Sequence, residues 1–174
     1  MLKIIKESEK IKDLMVIAPD VFYDFRGENC ETFNKEFYDK LLQSHSIFDV
    51  NFIVDSFSFS RKNTLRGFHG DTKTWKIIQC ILGDIYFVVI DFRPQSPTLN
   101  HYEIFNLNDK NRHQVLIPAG CVNAHLCISD TCIFNYKLSN SYTEQKDQIS
   151  IKWNDPFYNI YWPISNPILS KRDL

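Results

Sequence analysis

The chain has 174 residues, of which 44% are hydrophobic and 14% aromatic, and its formal net charge is −1. This length can bury a sizeable core, and we expect one domain over residues 1–174. The near-neutral charge without a basic run argues against a nucleic-acid partner, and no apolar run is long enough to span a membrane. The N-terminus lacks the apolar region of a secretory signal, and the five cysteines form no C-x-x-C pair. We therefore expect free thiols and a cytoplasmic protein.

The chain order indicates one short helix followed by many strands. Residues 34–43 show helical spacing, with Phe37 and Leu41 on one face and Asn34 as the N-cap. Short apolar or alternating stretches then predict strands at 52–59, 75–82, 85–92, 102–107, 114–117, 124–128 and 131–138. The Gly83-Asp84 pair predicts a hairpin between the second and third of these. We expect an all-β, jelly-roll (cupin-type) antiparallel sandwich or barrel with a short N-terminal helix and helical turns near the C-terminus.

Three ionisable side chains are predicted to point into this barrel. Period-two alternation places Tyr136 on the apolar face of its strand and Lys76 on a face shared with Ile78. It places His69 on the face opposite Arg66. Inward ionisable groups are costly unless they pair with each other or with a ligand, which predicts a small-molecule site inside the barrel.

A histidine and a distant carboxylate are the strongest candidates for chemistry. Unperturbed histidine has a pKa near physiological pH, and Asp173, one residue from the chain end, could orient His69 as a proton-transfer group. A hydrogen-bonded core histidine is the alternative, but the convergence of Arg66 and other polar groups favours a functional role. His125, on the face opposite Ala124, is a further candidate for the cavity wall.

We expect no metal ion in this barrel. Many cupins bind a metal through two closely spaced histidines, a glutamate and a later histidine, but this sequence has no H-x-H motif. In the segment 118–123, Asn123 stands where the later histidine ligand would be expected. An amide is a poor ligand for transition metals compared with imidazole.

An ordered set of motifs along nearly the whole chain resembles the dTDP-4-dehydrorhamnose 3,5-epimerase family. Each motif alone is weak, but their order is specific. They are Asp24-Phe-Arg-Gly27, Glu31-Thr-Phe-Asn34, Ser58-Phe-Ser60, Leu65-Arg-Gly-Phe-His69, Gly83-Asp84, Val89-Ile-Asp-Phe-Arg93, Ser96-Pro-Thr98, Ile117-Pro-Ala-Gly120, Tyr136-Lys137, Trp153-Asn-Asp-Pro156, Trp162-Pro163 and Ser170-Lys-Arg-Asp173.

The resemblance implies a homodimeric epimerase without metal or cofactor. It makes His69 the general base with Asp173 as its partner, and Tyr136 the acid on the opposite face of the sugar. Lys76 and Arg66 would hold the substrate and stabilise negative charge. The remaining expected substrate-binding residues are Arg26, which would contact the nucleotide diphosphate across the dimer interface, and Glu31, Asp55, Asn123, His125 and Tyr142.

Departures from the family pattern concern the substrate more than the reaction. Asn123 replaces a common histidine, Val54 replaces a glutamine, and the connection from His69 to Lys76 is short. The His-Gly-Asp-x-Lys-Thr-Trp-Lys pattern resembles the branch acting on GDP-linked 4-keto-heptoses in capsular polysaccharide pathways. We therefore expect a nucleotide-diphosphate 4-keto sugar, GDP-linked rather than dTDP-linked, epimerised at C3 or at C3 and C5. The alternatives are a 3,4-ketoisomerase and a non-catalytic sugar-nucleotide binding module.

Overall fold

The computed structural model describes residues 2–141 and 147–174. In chain order the described residues form β1 Leu2–Glu7, β2 Met15–Pro19, β3 Val21–Asp24, β4 Gly27–Cys30, α1 Lys35–Ser44, β5 Val54–Arg61, β6 Leu65–Asp71, β7 Lys76–Leu82, β8 Asp84–Asp91, β9 Tyr102–Asn108, β10 Gln114–Ile117, β11 Cys121–Cys127, β12 Thr131–Leu138 and β13 Gln148–Ser150.

Two antiparallel sheets pack face to face. One has the strand order β1-β2-β10-β7-β12-β5 and the other the order β13-β6-β11-β8-β9, while β3 and β4 form a separate hairpin. Apolar side chains from both sheets, including Ile78, Phe87 and Phe134, form the core between them. The predicted all-β jelly-roll sandwich is confirmed.

The single described helix forms where the sequence predicts it. The Asn34 side chain accepts a hydrogen bond of 3.1 Å from the backbone N–H of Phe37, which caps the N-terminus. Tyr38, Leu41 and Leu42 are buried against the outer face of the six-stranded sheet. No helix of the described residues is both long and apolar enough to cross a membrane.

The predicted hairpin at Gly83-Asp84 is wrong. β7 lies in the six-stranded sheet and β8 in the five-stranded sheet, so the chain crosses between sheets at this turn. Gly83 has φ +82° there, and a Cβ atom would lie 2.2 Å from the Thr131 carbonyl oxygen. The two strands bury Cys80 and Phe87 in the same core from opposite sides. The turn residues specify the reversal, but the shared core makes the strands face each other rather than pair.

A bulge in β6 changes which side chains face the interior. Arg66 pairs with His125 and His69 with Asn123, so β6 uses one residue more than β11 between these two points. Gly67 has φ +118° at the bulge, where a Cβ atom would lie 2.5 Å from the Asn123 carbonyl oxygen. The prediction that Arg66 points away from His69 is therefore wrong: both line one cavity.

The C-terminal segment crosses the outer face of the five-stranded sheet. Trp162 packs on Phe68 and donates a 2.8 Å hydrogen bond from its indole to the Trp153 carbonyl. A bridge between Thr64 and Ile168 then fixes the last residues beside the start of β6. This route delivers Asp173 to the strand that carries His69.

Candidate active site

A cavity of about 440 Å³ opens between the two sheets, within the size range of small-molecule sites. Strands β6 and β11 form one wall and β7 and β12 the other. Most of the side chains predicted to act together line it, and these are Arg66, His69, Lys76, His125, Tyr136 and Asp173.

His69 and Asp173 form a hydrogen-bonded pair. The His69 Nε2–H donates to Asp173 Oδ1 over 2.7 Å, and the carboxylate is buried with a side-chain exposure of 4%. Asp173 is itself held, because its Oδ2 accepts 2.6 Å from the Ser170 hydroxyl. With its proton on Nε2, the imidazole presents its lone pair at Nδ1, which lies 3.3 Å from the Ser150 hydroxyl. The pair can therefore accept a proton at Nδ1.

The electrostatics of the pair favour a neutral imidazole. Burial lowers the pKa of His69 and the nearby Arg172 charge lowers it further, while Asp173 acts in the opposite direction. Burial alone would raise the pKa of Asp173. Its hydrogen bonds, with Ser170 foremost, and the charge of His69 lower that pKa instead. At neutral pH the structure therefore holds an ionised carboxylate beside an imidazole that is free to act as a base.

Lys76 directs its ammonium group at the same place. Its Nζ donates 2.9 Å to the Asn123 side-chain oxygen and 3.2 Å to the His69 carbonyl. Burial lowers the pKa of Lys76 to about 8, partly offset by the negative charge of Asp71. Asn123, which replaces the expected histidine, thus orients the cation beside the base.

Tyr136 lies on the wall opposite His69. Its strand belongs to the six-stranded sheet, whereas β6 belongs to the five-stranded sheet. The ring packs against Phe134 at 5.8 Å between centroids. The Tyr136 hydroxyl makes no hydrogen bond with any residue that the structure describes. A proton donor is thus available across the cavity from the base.

His125 lies on the inner wall, as the alternation of its strand predicts. It is 3% exposed, and its ring stacks on Phe134 with centroids 4.0 Å apart and an interplanar angle of 10°. Burial, together with the charge of Arg66, lowers the pKa of His125 to about 3. The imidazole is therefore neutral.

Two exposed arginines stand at the edge of the cavity. Arg66 is anchored by its Nε, which donates 3.0 Å to the Ser60 hydroxyl, and by a bond to the Phe59 carbonyl. Arg172 donates to the Gln148 side chain.

Sequence reasoning missed Arg172 and the two serines at the His69–Asp173 pair. Ser170 and Arg172 belong to the motif Ser170-Lys-Arg-Asp173, but nothing in their spacing indicates a role at the site. Ser150 belongs to none of the motifs.

Three expected substrate-binding residues do not reach this cavity within one chain. Arg26 lies exposed in the turn between β3 and β4, where it pairs with Asp24. Glu31 and Asp55 line a second cavity of about 450 Å³, where Asp55 contacts Lys137 at 3.3 Å. Within a single chain the hairpin and the edge strand β5 carry these three residues away from His69, and their expected role in substrate binding stays a prediction. Tyr142 lies outside the described residues.

Within residues 2–141 and 147–174, no group of three or more His, Cys, Asp and Glu side chains is placed to hold a metal ion.

Comparison with known proteins identifies the family. The sequence model described as dTDP-4-dehydrorhamnose 3,5-epimerase matches residues 8–174. The chain belongs to the dTDP-4-dehydrorhamnose 3,5-epimerase family. The resemblance in the motifs is confirmed, and so is the prediction of an isomerase, an epimerase acting on nucleotide sugars.

Individual members of the family agree over nearly full length. The dTDP-4-dehydrorhamnose 3,5-epimerase of Shigella flexneri is 33% identical over 168 residues, covering 95% of this chain and 90% of that protein. The crystal structure of the Bacillus anthracis enzyme with TDP and PPi bound has a TM-score of 0.88 and 31% identity, covering 99% of this chain and 97% of that one. The Legionella pneumophila enzyme in complex with dTDP-4-keto-L-rhamnose has a TM-score of 0.88 and 30% identity, with 99% and 90% covered.

Proposed function

We propose that this protein inverts C3, or both C3 and C5, of a nucleotide-linked 4-keto-6-deoxy sugar through an enolate. The observation that carries the proposal is the His69–Asp173 pair at 2.7 Å on one sheet, with Lys76 beside it and Tyr136 on the facing sheet. Inversion needs a base and an acid on opposite faces of the sugar, and the two walls supply one each.

The first step is proton removal. The C4 ketone acidifies the hydrogens on C3 and C5, because the resulting carbanion is an enolate with its charge on the C4 oxygen. His69 Nδ1 takes the proton, and Asp173 stabilises the imidazolium that forms. Positioned proton transfer of this kind typically contributes about 10²–10⁴-fold in rate.

The next step is stabilisation of the enolate and its reprotonation. Lys76, oriented by Asn123, donates to the C4 oxygen as negative charge develops there. In a cavity with little water, such a preorganised donor contributes about 3–4 kcal/mol. Tyr136 then gives its proton to the carbon from the opposite face, which inverts the centre. Tyr136 recovers a proton from solvent and His69 releases its proton to solvent, which restores both groups.

We propose GDP-linked 4-keto-6-deoxy-heptose as the favoured substrate. The support is the segment from His69 to Lys76, which differs from the rhamnose enzymes and resembles the GDP-heptose branch. The relatives named above are epimerases of dTDP-linked sugars, so the dTDP-linked 4-keto-6-deoxyhexose is the comparison that any assay must include. The proposal places the reaction in the synthesis of capsular or other surface polysaccharide.

We also propose a homodimer located in the cytoplasm. Edge strand β5 turns Phe57 outward at 67% exposure and Phe59 at 51%, a surface that a second copy would cover. A partner could also bring Arg26 to this chain's cavity, since the hairpin that carries it projects Phe25 and Arg26 into solvent. All five cysteines are free thiols, four of them buried, which suits a reducing compartment.

Solvent exchange tests the reaction. The protein is incubated in deuterated water with GDP-4-keto-6-deoxy-heptose or dTDP-4-keto-6-deoxy-glucose, and deuterium and configuration at each carbon are followed by NMR and mass spectrometry. We expect deuterium with inversion at C3, or at C3 and C5. A carbonyl that migrates to C3 would identify a ketoisomerase, and no exchange with either substrate would refute an enzymatic role.

Two variants assign the base and the acid. His69→Asn should abolish exchange while the nucleotide sugar still binds. Tyr136→Phe should retain deuterium exchange but lose inversion, because the proton then returns to the face it left. Wild-type exchange by the first variant, or unimpaired inversion by the second, would remove that residue from its role.

A further inference from the structure

The inner wall of the cavity contains a buried polar atom without a partner. His125 Nε2 makes no hydrogen bond with any described residue, although this atom is buried and the residue is only 3% exposed. Buried polar groups in native proteins are nearly always hydrogen-bonded, to protein, to water or to a ligand. His125 also lines the cavity, so its ring borders the space that a bound molecule would occupy.

The chemistry of this nitrogen selects a neutral partner. The groups that act electrostatically on the imidazole are Arg66 and Asp173, and the ring is uncharged. The Nε2 of a neutral imidazole is either a donor or an acceptor, and a hydroxyl can satisfy both cases. An anionic group would instead find its partners at the guanidinium groups of Arg66 and Arg172.

The burial pattern gives the orientation of the sugar. Arg66 and Arg172 are exposed at the cavity edge, whereas Ile78, Phe134 and His125 on the inner wall are all buried. A diphosphate stays at the exposed edge, because its charges are costly to desolvate and the arginines pair with them. The diphosphate is attached at C1. The opposite end of the pyranose ring, with C4 and the carbon chain on C5, therefore points to the inner wall.

From this placement we infer that His125 Nε2 hydrogen-bonds a hydroxyl on the exocyclic chain of the substrate and so selects a heptose over a hexose. The inference rests on the proposed function. A 6-deoxyhexose ends this chain in a methyl group, whereas a 6-deoxyheptose ends it in a carbon that bears a hydroxyl. With the methyl group, His125 stays unpaired beside Phe134. With the hydroxyl, it gains its partner.

A matched pair of substrates tests the inference. GDP-4-keto-6-deoxy-mannose and the GDP-4-keto-6-deoxy-heptose of the same ring configuration differ only in the terminal CH₂OH. We would measure kcat/KM for deuterium exchange with each substrate, using wild type, His125→Phe and His125→Gln. The matched control is His101→Phe, the same change at an exposed histidine that does not line the cavity.

We expect His125→Phe to lower the heptose-to-hexose ratio of kcat/KM by about tenfold or more, because a site built around a hydroxyl discriminates strongly against the analogue that lacks it. His125→Gln, which keeps a polar side chain, should recover part of the ratio, and His101→Phe should leave it unchanged. The phenylalanine ring retains the stacking on Phe134, and thermal unfolding of each variant verifies that it is folded.

Other outcomes overturn the inference. An equal loss with both substrates would mean that His125 binds a ring hydroxyl that they share, and an unchanged ratio would mean that it binds neither. If wild type exchanges neither substrate, the proposed function has failed. The inference is then judged on the dissociation constants of the two GDP-sugars for wild type and His125→Phe, and it is overturned if wild type binds both equally.

Discussion

Lys76 carries its charge in surroundings where burial works against it. The lysine lies beside the Asn123 amide and the His69 carbonyl, and its pKa is lowered to about 8. The pKa of His69 is lowered below the ordinary 6.5 of histidine. Proton abstraction requires the neutral imidazole, and enolate stabilisation requires the charged ammonium. The two requirements together define the pH range of activity.

We predict a bell-shaped pH profile of kcat/KM. As pH falls through the lowered pKa of His69, below 6.5, the base becomes protonated and activity is lost. As pH rises through about 8, Lys76 loses its proton and activity is lost again. The measurement is the initial rate of deuterium incorporation at low substrate concentration, from about pH 5 to about pH 10. This range extends below the usual pKa of histidine and reaches roughly the usual pKa of lysine.

The variant Lys76→Arg provides the control for the alkaline limb. Arginine stays charged throughout this range, so whatever activity this variant retains should no longer decline near pH 8. An alkaline limb that persists unchanged in Lys76→Arg would show that another group is responsible for it.

At the scale of elements, the C-terminal segment matters because it completes the site from outside the sheets. Its path over the five-stranded sheet is held by the packing of Trp153 and Trp162 and by the bridge at Ile168. The last four residues come after these contacts. They contribute the Asp173 carboxylate but little of the buried apolar surface.

We predict that removing residues 171–174 costs activity far more than stability. Without its orienting carboxylate, the imidazole should lose about 10²-fold or more in exchange rate, within the usual contribution of a positioned base. The loss in stability should be about 1 kcal/mol, or roughly 2–4 °C in Tm for a domain of this size. Exchange kinetics and thermal unfolding, measured on one preparation, give both quantities.

Two matched variants isolate the carboxylate. Removal of Leu174 alone, an exposed residue, should have little effect on either quantity. Asp173→Asn should reproduce the kinetic defect of the truncation. If the truncated chain exchanges at the wild-type rate, Asp173 does not orient the base.

At the scale of the whole molecule, a single chain leaves Arg26 far from the cavity that the proposed reaction uses. The residue is exposed and bound to Asp24 within its own hairpin. The outward aromatic residues of β5 mark a surface on which a symmetric partner could place that hairpin. Complementation between two inactive variants tests this arrangement directly.

We predict that Arg26→Ala and His69→Asn restore activity when mixed. In a mixed dimer, one cavity combines His69 of the first chain with Arg26 of the second and is fully intact. Random exchange of subunits makes about half of the dimers mixed, with one intact site of two, so about a quarter of the wild-type activity should return. Sedimentation should show twice the chain mass. A monomeric protein, or mixing without recovery, would contradict a role for Arg26 across the interface.

Much of the secondary structure, and the proposed acid and base, followed from the sequence. Alternation along residues 131–138 placed Tyr136 inward, and Asn34 with the apolar spacing after it located the helix, because each signal depends only on near neighbours. Motif order identified the family and therefore the His69–Asp173 pair before any contact was known. These features need no knowledge of which strands pair.

The tertiary structure decided what depends on pairing and on long-range packing. The bulge at Gly67 brings Arg66 and His69 to one face, since β6 must accommodate an extra residue against β11. The Gly83 turn joins strands of opposite sheets, because both bury side chains in the shared core. The absence of a described partner for His125 Nε2 emerged only when every neighbouring group was in place. The sequence by itself determined the helix, most of the strands between residues 52 and 138 and the chemistry that they carry, but not the four strands before the helix or β13. The packing of two sheets decided which groups share one cavity.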